Sequence, residues 1–129
     1  MILTIRTDKP ESEIGLFDSH TKVAYQSWYA HRQLAETIHH RISIILEDNN
    51  KTLGDISGIV VYKGPGSFTG LRIGMSVANA LAYSMDVPIV AQSGADWTGK
   101  GIDALQNGQN ENSITPEYGS AANITKPRK

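Results

Sequence analysis

The run Gly64-Pro65-Gly66-Ser67-Phe68-Thr69-Gly70-Leu71-Arg72-Ile73-Gly74 constrains this chain more than any other stretch. It follows an apolar strand, Gly58-Ile59-Val60-Val61-Tyr62, and leads into a helix that starts near Gly70. Three glycines and a proline within seven residues make a turn that side chains bearing a Cβ could not follow. The turn delivers Ser67 and Thr69 to a helix N-terminus. One reading is a tight strand-to-helix connection with Ser67 or Thr69 as N-cap. The other is a phosphate site built on free N–H groups and the helix dipole. A Walker A loop is excluded, because Gly70 is followed by Leu71-Arg72 and Lys63 precedes the turn. The glycine spacing is not a Rossmann fingerprint either.

Around this run the chain alternates in a readable way. Residues 2–7, Ser12 to Asp18 and Lys22 to Tyr29 read as three strands, with Asp8-Lys9-Pro10-Glu11 as the first turn. Their short connections predict an antiparallel meander. From His31 to Asp48, Leu34, Ile38, Ile42, Ile45 and Leu46 make one apolar stripe at helical spacing. Ile56 to Tyr62 is a fourth strand, apolar enough to be buried on both faces. A second helix spans about Gly70 to Met85, and Ile89-Val90-Ala91 is a fifth strand. Right-handed crossovers then give an α/β fold with a mixed five-stranded sheet of order 3-2-1-4-5. This is the ribonuclease H-like domain of the actin/Hsp70/sugar-kinase superfamily, assigned to residues 1–92. Residues 93–129 read as an irregular C-terminal extension. Within it Asp103 to Gln106 suits a short helix, Asn107 to Ser113 reads as flexible, and Trp97 and Tyr118 are candidates to pin it down.

Composition narrows the function classes. The 129 residues suit one domain, and a net charge of −1 gives no general attraction to nucleic acid or membrane. The basic cluster Lys126-Pro127-Arg128-Lys129 reads as a solvated tail. No cysteine is present, which excludes disulfides and thiol chemistry and fits a cytoplasmic location. No apolar stretch reaches the roughly 18–20 residues of a membrane span.

The glycine-rich run as a whole resembles the hallmark of the TsaB (YeaZ) family of tRNA threonylcarbamoyladenosine biosynthesis. Arg32-Gln33-Leu34-Ala35-Glu36-Thr37-Ile38, Asn79-Ala80-Leu81-Ala82 and Val87-Pro88-Ile89-Val90 are similar to segments of that family, over roughly residues 1–97. The resemblance implies the same fold. It also implies a non-catalytic partner of a TsaD-like protein, acting with a TsaE-like ATPase. The modification falls on the adenosine next to the anticodon of tRNAs that read codons beginning with A. The resemblance implies pairing through the helices at about 31–48 and 70–85, homodimerisation through the same helices as a further option, and tRNA met through the complex. Family chains carry a second domain of similar fold. The segment Ile114 to Gly119 is similar to a family C-terminus, which implies a short form lacking most of that domain.

The candidate chemistry is thin. Superfamily members place an acid at the end of strand 1, whereas here the strand runs Ile5-Arg6-Thr7-Asp8. A cation at Arg6 would repel a metal ion, and Asp8 could substitute only by a register shift. His39 and His40 are adjacent and point about 100° apart, while His31 and His39 lie two turns, about 12 Å, apart. With His20 they read as solvated histidines, so no metal site and no catalytic residue are assigned. Gly64, Gly66, Ser67, Thr69, Gly70 and Arg72 form a candidate nucleotide or interface loop. No cofactor is expected on the chain alone, with ATP or ADP at a complex interface left open.

The second helix is apolar almost all round and needs burial all round. Ile73, Val77, Ala80 and Leu81 are expected to face the sheet. Leu71, Gly74, Met75, Ala78, Ala82 and Met85 are expected on the other side, under the first helix, the tail or a partner protein. They are the candidate partner interface. Two rival functions remain: a small actin-like nucleotide-binding phosphotransferase using Ser67 and Thr69, and a self-associating structural protein.

Overall fold

The first strand anchors everything else. In a computed structural model, which describes residues 1–30 and 33–114, β1 (Ile2–Arg6) lies at the centre of the sheet. It pairs antiparallel with β2 (Glu11–Asp18) and parallel with β4 (Gly58–Tyr62), so Ile5 sits between Ile14 and Val61. β3 (Thr21–Tyr29) continues the meander beyond β2, and β5 (Ile89–Gln92) runs parallel to β4. The order is β3-β2-β1-β4-β5, as the crossover argument predicts. All five residues of β4 are buried, in keeping with its unbroken apolar run. His31, Arg32, Tyr118, Ile124 and the basic cluster lie outside the described residues.

The helix α1 (Leu34–Asp48) buries the five residues of the expected stripe: Leu34, Ile38, Ile42, Ile45 and Leu46. It begins later than the pattern suggests. Its N-cap, Gln33, offers no side-chain cap, and Thr37 instead donates back to the Gln33 carbonyl at 2.8 Å while accepting from the Trp28 indole at 3.0 Å. A 3-10 turn at Leu53–Asp55, unmarked in the apolar pattern, leads into β4. Its ends are tied by a capping box between Thr52 and Asp55.

α2 (Phe68–Met85) is rotated relative to expectation. Leu71, Gly74, Met75, Ala78 and Ala82 face inward and are buried, while Ala80 is exposed and Ile73 and Leu81 are half-buried. Val77 is buried at the margin of the core, and Met85 packs partly against it. The reason is steric. Gly70 and Gly74 both lie on Thr7, where a methyl group on either would collide with the Thr7 carbonyl oxygen or side chain. Gly70 and Gly74, four residues apart, bring α2 close to the end of β1.

The extension also differs from expectation. Trp97–Gln106 is a ten-residue helix, α3, on the sheet face opposite α1 and α2, packed on β4 and β5. Gly99 and Gly101 hide it in the sequence because glycine disfavours helix interiors. Packing overrides that cost: Gly101 sits on Val60, where a Cβ would clash, and the Trp97 ring meets Tyr62 edge-on at 5.8 Å. Trp97 does pin the segment. Within Asn107 to Ser113, read as flexible, Asn110 and Glu111 are bonded to β5, with Glu111 N–H donating to the Ile89 carbonyl, and Ile114 just beyond is buried.

Candidate functional site

Two places gather the residues singled out in the sequence. The first is the corner where β1 ends against the glycine turn. There Arg6 points back over its own strand end. Its guanidinium binds Asp8 at two positions, Nε to Oδ1 at 2.8 Å and a terminal nitrogen to Oδ2 at 3.2 Å. It also lies 4.0 Å from the centre of the Tyr62 ring. The hydrogen bond to Asp8, opposed by partial burial, raises the Arg6 pKa above its ordinary value. The Asp8 side chain is only 6% exposed, so its carboxylate is enclosed and engaged by the cation beside it. In this arrangement both Asp8 carboxylate oxygens are engaged by Arg6.

The glycine turn closes the same corner. Ser67 N–H donates to the Asp8 carbonyl at 2.9 Å, and Gly66 lies so close to Asp8 that a Cβ there would clash. Thr7 Oγ1 donates to the Gly70 carbonyl at 2.8 Å. Gly64 adopts a φ of 102°, which favours glycine, and its carbonyl accepts from the Ser93 hydroxyl. Ser67 is the N-cap of α2, its oxygen accepting from Gly70 N–H at 3.4 Å. So Gly64, Gly66, Ser67 and Gly70 fasten the turn onto β1 and β5.

Thr69 and Arg72 point elsewhere. They stand on the outer side of α2 and line a groove of about 420 Å³ shared with α1. Ala35 and His39 supply the α1 wall, while Ile73, Ser76 and Val77 complete the α2 wall. The Arg72 guanidinium sits 5.3 Å from the Phe68 ring, whose side chain is half exposed. Thr69 also meets Ser67 and Gly70 in a smaller cavity of about 120 Å³, and within the candidate loop Gly66, Ser67, Thr69 and Arg72 are exposed while Gly64 is buried. Of the set expected at a partner, Leu71, Gly74, Met75, Ala78 and Ala82 are buried within the chain and Met85 is half-buried, while the groove side of α2 carries Thr69, Arg72, Ile73, Ser76 and Val77. The sequence pattern names both helices but misses Ala35, His39 and Ser76. Their signal is only that they flank the apolar stripe of each helix. Of the other histidines described, His20 pairs with Asp103 at 2.8 Å and His40 is exposed.

Comparison with known proteins places this architecture. The family model described as "TsaD: tRNA N6-adenosine threonylcarbamoyltransferase" matches residues 28–98, from the end of β3 through β5. A curated relative, the tRNA threonylcarbamoyladenosine biosynthesis protein TsaB of Bacillus subtilis, is 37% identical over 107 residues. That match covers 81% of this chain and 47% of the relative. This chain belongs to the TsaB (YeaZ) family. The TsaB of Escherichia coli is 32% identical over 71% of the chain and 39% of its own length. The solved structure of YeaZ from Pseudomonas aeruginosa superposes with a TM-score of 0.66 at 24% identity, over 71% of this chain and 43% of that one. It supports the ribonuclease H-like, actin-like fold. The chain spans about half the length, or less, of these TsaB relatives. Among the described residues no helix is long and apolar enough to cross a membrane.

Proposed function

We propose that this chain is a non-catalytic scaffold for tRNA threonylcarbamoyladenosine synthesis in the cytoplasm. It pairs with a TsaD-like transferase and, with a TsaE-like ATPase, supports modification of the adenosine next to the anticodon. The tRNAs concerned read codons beginning with A, and they reach the chain through the complex. The family of its relatives supports the pathway. The observation that carries the non-catalytic part is the Arg6–Asp8 pair, which puts a cation at the strand end and encloses the neighbouring carboxylate. A metal–nucleotide pair needs the opposite charge there.

The pairing surface in this reading is the groove between α1 and α2. It combines an apolar floor, Ile73 and Val77, with Arg72 and His39 as polar walls. An ATP or ADP at the interface would meet Thr69 and Arg72, the two loop residues that line this groove. The same groove would serve a homodimer when the partner is absent.

The test is co-purification with TsaD-like and TsaE-like proteins, followed by assay of the modified nucleoside. Nucleoside formation that depends on this chain supports the proposal. Magnesium-dependent ATP hydrolysis by the purified chain alone would favour the phosphotransferase reading and overturn it.

A further inference from the structure

The β5 edge of the sheet is closed by an unusual device. Pro88, just before β5, and Gln92 at its end turn their carbonyls toward β4, accepting from Ile59 N–H and Lys63 N–H. The main-chain groups of Ile89 and Ala91 therefore face away from the sheet. An edge like this, built from the buried apolar residues Ile89, Val90 and Ala91, is a template for another strand. Here three of its outward groups are occupied. Ile89 N–H donates to Asn110 Oδ1 at 3.1 Å, and Ala91 N–H donates to Glu111 Oε2 at 2.9 Å. Glu111 N–H donates to the Ile89 carbonyl at 2.8 Å. Two of the three acceptors or donors belong to side chains, so the segment imitates a strand without being one.

The segment is fastened at both ends. Gln109 N–H donates to the Ala104 carbonyl at the end of α3. At the far end Asn79 of α2 exchanges two 3.0 Å hydrogen bonds with the main chain of Ile114, whose side chain is buried. Asn110 Oδ1 also accepts from Asn112 N–H, which sets its orientation. The chain thus passes round the β5 edge from the α3 face to the α2 face.

We propose that residues 109–114 are a strap that caps the β5 edge and withholds it from strand pairing with a second copy of the chain. The relevant groups are the Asn110 and Glu111 side chains, because they stand where the carbonyls of an incoming strand would stand. This inference is independent of the proposed partner groove, which lies between the helices.

Amide hydrogen exchange and light scattering test it together, on the native chain, the double variant N110A/E111A and the acceptor-retaining variant N110D/E111Q. In the alanine variant the Ile89 and Ala91 amides should exchange about tenfold faster or more, with the β1 amides unchanged. At rising concentration its mass should reach twice the native value, and the acceptor-retaining variant should behave as native. Unchanged protection at Ile89 and Ala91 would overturn the proposal. So would faster exchange with native mass at every concentration, since the strap would then be a local brace only. If the double variant fails to fold, E111A alone exposes Ala91 and is read by the same two outcomes.

Discussion

The β1 corner and the α1–α2 groove are assembled from the same glycine-rich stretch, yet they end in opposite states. At the corner Arg6 and Ser67 both bind Asp8, Thr7 donates to the Gly70 carbonyl, and Gly66, Gly70 and Gly74 allow contact too close for any side chain. In the groove Thr69, Arg72 and Ser76 are exposed beside half-buried Ile73 in a space of about 420 Å³. Of the two residues that looked most like a phosphate cradle, Ser67 caps α2 and ties the turn to Asp8, while Thr69 lines the groove.

That contrast can be broken by substitution. The largest effect is expected at Ala78, fully buried on the inner face of α2. Ala78→Glu would put a charge into the core and cost about 4 kcal/mol or more, leaving no cooperative thermal transition. A stable, folded variant would mean that the inner face is a surface after all. Gly70→Ala comes next. Its methyl meets the Thr7 carbonyl, part of the backbone, so urea unfolding should show a loss of about 3 kcal/mol. Arg6→Ala leaves the enclosed Asp8 carboxylate without its partner and should cost about 2 kcal/mol in the same measurement. It should bring no ATP hydrolysis.

A position remote from both regions should respond least. The Asp55 carboxylate accepts from Thr52 N–H, and this bond lowers its pKa below the ordinary 3.8. A lowered folded value means its contribution is present above pH 3.8 and lost as pH falls through the folded pKa. The native chain should therefore be slightly more stable than Asp55→Asn above that pH, and the difference should shrink as pH falls through the folded value.

Some of this was legible in the sequence, for reasons that differ by element. α1 was readable because its five apolar residues fall on one side and nowhere else. The sheet order followed from the short connections between the first three strands and the right-handed crossovers after them. α2 was not readable in its rotation, since Leu71, Ile73, Met75, Val77 and Leu81 surround it. A glycine–alanine line suits a foreign helix as well as β1, and only the position of Thr7 decides between them. α3 was shortened in the pattern by Gly99 and Gly101, whose value appears only against Val60. The polar run from Asn107 to Ser113 looked flexible because its partners, the Ile89 and Ala91 amides, lie some twenty residues away in sequence. At the corner, Arg6 itself was legible as a departure from the acid, but its closure over Asp8 was not.

The groove is tested most directly by the mass of the chain mixed with a TsaD-like protein, measured by light scattering for the native sequence and for Ser76→Glu. Ser76 is exposed in the groove, so its replacement should change stability by no more than about 0.5 kcal/mol. Pairing through the groove predicts a one-to-one complex with the native chain and separate proteins with the folded variant. No complex with the native chain, or an equally stable one with Ser76→Glu, would contradict it.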